Sequence, residues 1–287
     1  MRQRGRILLI LVILNFVTSA DSAQEDSLWR VWNTLELPDS ARLKALQVLA
    51  WRAVFLQPDS GMVLAQKQLD LADGIGDDRA RYEAHTTLAV GSSMKSDYPV
   101  ALKHLQQCLA IAHELGDLKR EANAYSNLSN VYRNLGDLPK ALTPLQKSLS
   151  IDTQLGNDEG LAGTYNNIGN VHTELHDLDE ALENYERSAA LYAKENNAKG
   201  RAQALMNLGA THLDRGDRTL ALEEFSQSLA LYRGMGRTLE TGMAFNNMGR
   251  AYGELGRAPE AYAALDSAFT LFTDINSSRQ LARNLYY

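Results

Sequence analysis

Apolar residues recur along this chain at helical spacing, and the blocks that carry them recur every forty residues. The first block stands apart: Leu28, Trp29, Val31, Trp32 and Leu35 mark a helix over Ser27 to Leu37, and Pro38-Asp39-Ser40 stops it and caps the next. We expect a polar, flexible stretch before it, from Asp21 to Asp26, and assign 21–38 as flexible segment plus N-terminal capping helix. From Asp39 to Ser277 six units follow. Ile75 to Asp78, Leu115 to Leu118 and Leu155 to Asp158 close three of them, and Asn196-Asn197 and Gly236-Arg237 close two more. Within each unit a shorter turn divides two helices, as at Lys95-Ser96-Asp97, Leu135-Gly136-Asp137, Leu175-His176-Asp177, Arg215-Gly216-Asp217 and Leu255-Gly256-Arg257. Glycine there supplies the positive φ of a helix C-cap, and the next residue can cap the following helix.

Small residues recur where two helices must approach closely: Ala101, Ala141, Ala181, Ala221 and Ala261 in the second helix, and Ala89, Ser129, Gly169, Gly209 and Gly249 in the first. Large residues recur between them, at Leu88, Leu128, Ile168, Leu208 and Met248 and at Leu105, Leu145, Tyr185, Phe225 and Leu265. The pattern predicts an all-α solenoid of antiparallel helix pairs, each burying its apolar face against its neighbours.

The stretch Ala122 to Leu142 adds a second face to this scheme. Asn123, Asn127, Asn130 and Asn134 fall on one side of the predicted helix, opposite Tyr125, Leu128, Val131, Tyr132 and Leu135. Asparagine is about 0.5 kcal/mol per residue worse in a helix than Lys or Glu, so a face that is merely wetted has cheaper choices. Across the forty-residue register Asn127 recurs as Asn167, Asn207 and Asn247, with Thr87 in the same column, and Asn130 recurs as Asn170 beside Val90, Ala210 and Arg250. A carboxamide donates and accepts, and so can pair with an extended peptide backbone without reading its side chains. The competing reading is that these asparagines bond to one another and hold repeat to repeat.

Composition narrows the partners. At 45% hydrophobic and 22% charged residues the chain is a folded protein. Its start, with Arg2, Arg4 and Arg6, the apolar run Ile7 to Leu14 and small Thr18 and Ala20, reads as a signal peptide over 1–20, cleaved after Ala20. Removing those three of the 29 basic residues leaves 26 against 35 acidic ones, a balance that argues against nucleic acid. Cys108 is the only cysteine, which excludes an internal disulfide and a cysteine-based zinc site. Export without disulfides suits a periplasmic or cell-surface protein, with no membrane span after cleavage.

The motifs Asn127-Leu-Ser-Asn-Val-Tyr132 and Asn167-Ile-Gly-Asn-Val-His172, each followed by Leu-x-Asp and Ala-Leu, resemble tetratricopeptide repeats of the forty-residue kind. The resemblance implies a right-handed α-α superhelical solenoid of about six helix pairs over 39–277, with 278–287 the start of a seventh helix or a C-terminal cap. It places the first helix of each pair on a concave surface. It further implies that Asn127, Asn130, Asn167, Asn170, Asn207 and Asn247 line a groove for a protein or peptide partner, and the register sets Arg250 beside them at its margin. The groove's margins, Glu83, Arg133, Glu174, Asp214 and Glu254, carry mixed charge. The first unit, with Trp51, Arg52 and Gly61 at motif positions, departs from the pattern.

No catalytic constellation follows from spacing, and no cofactor or metal is expected. His172 and His176 are spaced as helical metal ligands are, but His172 shares a packing column with Tyr132, His212 and Tyr252, and His176 replaces a turn glycine. His85 reads as core in the column of Tyr125 and Tyr165, His104 and His113 have no partners in register, and Cys108 shares a small-residue column with Ser148, Ser188, Ser228 and Ala268. The leading expectation is therefore a non-enzymatic interaction scaffold with a peptide groove. The alternative is the extracytoplasmic sensor region of a longer signalling protein (histidine kinase, cyclase or regulator), which the reading frame beyond Tyr287 would decide. A third reading is a scaffold that assembles an envelope complex through its convex face or its ends.

Overall fold

The computed structural model describes residues 19–275; the leader up to Thr18 and the expected seventh helix at 278–287 lie outside the described residues. Thirteen α-helices and no strand occur among the described residues. The chain divides into two compact units, Met1–Ala124 and Tyr125–Tyr287.

In the first unit, α1 (Ser19–Asn33) packs on α2 (Asp39–Leu56), α2 pairs with α3 (Pro58–Ile75), and α4 (Asp78–Met94) pairs with α5 (Tyr98–Glu114). Helix α6 (Leu118–Asn134) carries the division between the units. The second unit continues with α7 (Leu138–Leu155), α8 (Asp158–Leu175), α9 (Leu178–Lys194), α10 (Ala198–Arg215), α11 (Arg218–Gly234), α12 (Thr238–Glu254) and α13 (Ala258–Asp274). Here α8 touches α10 and α10 touches α12 directly, so the first helices of successive pairs form a row. Antiparallel pairs joined by two- and three-residue turns follow from the sequence punctuation described above.

That punctuation has a period of twenty. A residue in the left-handed region ends a helix at 76, 96, 116, 136, 156, 176, 196, 216, 236 and 256. After each one the next N–H reaches back five residues to a carbonyl, as from Asp137 to Tyr132 (3.0 Å) and from Asp177 to His172 (2.9 Å), closing the helix end. Seven of these positions are glycine; Ser96, His176 and Asn196 hold the same conformation with side chains. Asp77, Asp117 and Asn197 then cap the following helix by accepting from the N–H three residues on, at 3.0, 3.1 and 2.9 Å. Asp217 makes no such cap and takes the Arg215 guanidinium instead, at 2.5 Å.

The core alternates size across each pair. Leu105 and Leu145 are buried in pairs whose first helix carries Ala89 or Ser129. Tyr185 and Phe225 are buried where the first helix carries Gly169 or Gly209, and a Cβ there would stand 2.7 Å from the facing ring. Burying such side chains contributes about 1.5–3 kcal/mol each, and the matching of small to large lets the helices close on them.

Three expectations change. The capping helix ends at Asn33 rather than at Leu37, and α2 is entered at Pro38 with no side-chain cap. Helix α1 begins at Ser19, so the stretch Asp21 to Asp26 is helical rather than flexible. Its Ala, Gln and Glu are good helix formers, and Arg52 of α2 donates to Gln24 at 2.7 Å, a tertiary contact that helical spacing of apolar residues does not reveal. The irregular first unit is an ordinary pair with its first helix shifted by one residue: α2 and α3 are joined by Gln57 alone, and Gly61 sits so close to Val54 that a Cβ would lie 2.3 Å from the Val54 backbone.

Candidate peptide-binding face

Helices α6, α8, α10 and α12 carry the asparagine columns. Asn127, Asn130, Asn167, Asn170, Asn207, Asn247 and Arg250 are all half-buried, all lie within the second unit, and divide into two groups by what they bond.

The first group is committed. Asn207 Nδ2 donates to Asn166 Oδ1 at 3.0 Å and to Asn170 Oδ1 at 3.3 Å, while its own Oδ1 accepts from Gln203 Nε2 at 3.1 Å. The Tyr185 hydroxyl donates to Asn170 Oδ1 at 2.8 Å. Burial pushes the Tyr185 phenol up to about 12, so it keeps its donor proton at neutral pH. Asn247 Nδ2 meets Met206 Sδ at 3.2 Å. These bonds tie α8 to α10 and α10 to α12, which is the repeat-to-repeat role.

Arg250 is committed too. Its guanidinium reaches Asp214 at 2.9 Å and Glu254 at 3.2 Å. Burial opposes its charge, and the two carboxylates outweigh burial and raise its pKa. Other margin charges pair likewise: Arg133 with Glu174 at 2.7 Å, and, in the first unit, Arg120 with Glu83 at 3.2 Å. Thr87, the first-unit member of the column, is buried and bonds the Glu83 carbonyl at 3.1 Å.

The second group is Asn127, Asn130 and Asn167. Among the described residues their carboxamides form no side-chain hydrogen bond, although they are half-buried. Each therefore presents a donor and an acceptor on the α6–α8 part of the face.

Beside the committed group lies a pocket of about 290 Å³, lined by Asn166, Tyr192, Asn197, Lys199, Gly200, Gln203, Tyr232 and Glu240. The Tyr192 ring lies on Gly200, where a Cβ would meet it at 2.5 Å, and Tyr232 donates to Gln203 Oε1 at 3.3 Å. Burial raises both phenols, Tyr232 to about 12. Asn166 and Gln203, which bond Asn207, are the residues the repeat register misses. The doublets Asn166-Asn167 and Asn246-Asn247 carry a signal for the first of them. Asn246 is buried with its Oδ1 unpaired.

The histidines and the cysteine resolve as follows. His172 Nδ1 lies 3.4 Å from Asp177 Oδ2, and His176 is the exposed left-handed residue of its turn. Cys108 is fully buried, its thiol pushed up to about 12 by burial. It donates to the Tyr82 carbonyl at 3.6 Å as Ser228, in its column, donates to the Ala202 carbonyl at 2.8 Å. His104, without a partner in register, faces His85 at 3.0 Å between ring nitrogens.

Models described as tetratricopeptide repeat match residues 66–154, 160–234 and 243–267. The chain belongs to the tetratricopeptide repeat family. Among solved structures, BtubC (BKLC) from P. vanneervenii is similar at 21% identity and a TM-score of 0.68, over 77% of this chain and 93% of that one. The aspartyl phosphate phosphatase F of Bacillus subtilis is similar at 11% identity and a TM-score of 0.67, over 92% and 72%. A signal-transduction ATPase of Pyrococcus horikoshii with a tetratricopeptide repeat sensor is similar at 17% identity and a TM-score of 0.69, over 91% of this chain and 42% of that one. At these identities the likeness shows the fold. None of the curated proteins compared matches the chain. Tetratricopeptide repeats serve in general as non-enzymatic scaffolds for protein partners.

Proposed function

We propose that this protein holds an extended segment of a protein partner against the α6–α8 part of its first-helix row, through Asn127, Asn130 and Asn167. The observation that supports the reading is a split within the two asparagine columns: Asn207 and Asn247 in one and Asn170 in the other bond to neighbouring repeats, while these three form no side-chain hydrogen bond among the described residues. Half-buried carboxamides left open suit main-chain N–H and C=O groups, and main-chain pairing binds with little dependence on side chains.

The test is selection of peptides from an unbiased display library on the wild-type protein, followed by affinity measurement on variants. Asn127→Ala with Asn167→Ala is expected to weaken the selected peptides about tenfold or more, the effect of losing one to two net hydrogen bonds. The melting temperature is expected to stay in place. Unchanged affinity in a folded double variant would overturn the assignment.

A further inference from the structure

The pocket beside the committed asparagines is built around a residue that the peptide reading does not use, Tyr192 of α9. Its ring lies on Gly200 of α10, where a Cβ would stand 2.5 Å away, and its hydroxyl lies over Gly163 of α8, where a Cβ would stand 3.4 Å away. Both glycines stand in helices, where glycine is a poor former, and the column of Gly163 otherwise carries Glu83, Asn123, Gln203 and Met243. Gly163 is one turn before Asn166 and Asn167 on α8, so the Tyr192 hydroxyl stands on the stretch of helix that carries the open carboxamide of Asn167.

The groups left over in this pocket are donors. Tyr232 gives its hydroxyl proton to Gln203, whereas the Tyr192 hydroxyl, one repeat earlier in the same column, makes no hydrogen bond among the described residues and is only half-buried. Burial, followed by the Glu159 carboxylate, raises the Tyr192 phenol above its usual range, so the hydroxyl keeps its proton. Asn166 accepts from Asn207 through Oδ1, and its Nδ2 has no partner among the described residues. Lys199, exposed at the rim and outside the asparagine columns, forms no ion pair there. The nearby carboxylates are engaged: Glu240 holds the Arg237 guanidinium, with Nε at 3.0 Å, and Glu159 accepts from Asn197 Nδ2 at 3.1 Å. A phenol O–H, a carboxamide N–H and one ammonium match an anion of single charge with two acceptor oxygens, which is a carboxylate.

We propose that this pocket takes the side-chain carboxylate of a Glu or Asp in the partner segment, with the Tyr192 hydroxyl, Asn166 Nδ2 and Lys199 Nζ as its donors. The inference rests on the peptide reading and adds specificity to it: open carboxamides hold main chain whatever its sequence, and the pocket next to Asn167 supplies one position at which a side chain is read.

The experiment takes peptides selected on the wild-type chain from an unbiased display library and resynthesises them with amidated C-termini, so that any carboxylate tested belongs to a side chain. They are expected to share an acidic residue at one fixed position, and its replacement by Gln or Asn should weaken binding to wild type about tenfold, the loss of a charge-assisted hydrogen bond. On a chain carrying Tyr192→Phe and Lys199→Gln the same replacement should cost less than about twofold, which closes a double-mutant cycle between acid and pocket. Phenylalanine keeps the ring on Gly200 and Lys199 is exposed, so the melting temperature of that chain should match wild type. Peptides that lose affinity with Asn127→Ala and Asn167→Ala yet share no acid would overturn this inference and leave the peptide reading in place. So would an acid whose replacement costs the same on wild type and on the variant. A library from which nothing is captured would overturn both.

Discussion

Asn127 and Asn207 occupy one position in the forty-residue register and do different work. Asn207 serves three neighbours, Asn166, Asn170 and Gln203. Its replacement by Ala leaves half-buried Asn166 Oδ1 without its partner, while Asn170 Oδ1 keeps the Tyr185 hydroxyl and exposed Gln203 turns to water, and we predict a loss of about 1 kcal/mol, read as a lower melting temperature. A melting curve for Asn207→Ala that overlays wild type would show that these bonds carry no net stability. The column was legible in the sequence and the division of labour was not. What separates the two asparagines is that Asn207 bonds residue 166 on the preceding first helix and residue 203 one turn back on its own, and neither partner belongs to the forty-residue column. His104 was missed for the same reason, since its partner lies on the other helix of its pair rather than in its column. A pH prediction follows for that pair. The His85 pKa is depressed in the folded state, so below the unfolded value of about 6.5 the unfolded chain binds more protons and stability falls as pH drops toward 4. His85→Tyr should flatten the dependence of melting temperature on pH across that window. An unchanged slope would show that the pair is not the source.

At the scale of the helix, stability rests on matched sizes. Gly209 faces Phe225 and the Ala221 carbonyl, and a Cβ added at 209 would lie 2.7 Å from the ring and 3.2 Å from that oxygen. Gly209→Ala is therefore expected to destabilise by about 1–3 kcal/mol, despite the better helix propensity of alanine. Adding Phe225→Leu, which recreates the Ala89 and Leu105 combination of the second repeat, should recover part of the loss. A strictly additive double variant in a thermal melt would contradict the size-matching account. Helix number, pairing and the twenty-residue spacing of turns were readable from glycine, asparagine and apolar period. The start of α1 was not, because Arg52 reaching Gln24 is a contact between helices and leaves no trace in either helix's own pattern.

For the whole molecule, the repeat family accounts for the architecture and leaves the partner to be decided by surface chemistry. The acidic balance of the chain and its internally paired margins, Arg133 with Glu174 and Arg250 with Asp214, leave little uncommitted charge around the asparagine columns. Under the proposed function, recognition there rests on hydrogen bonding and shape. The most direct measurement is the dissociation constant of one selected peptide for wild type and for the chain carrying both Asn127→Ala and Asn167→Ala, with the melting temperature of each. The account predicts affinity about tenfold weaker at an unchanged melting temperature. Equal affinity, or a melting temperature that falls as far as that of Asn207→Ala, would assign these asparagines to holding the repeats together.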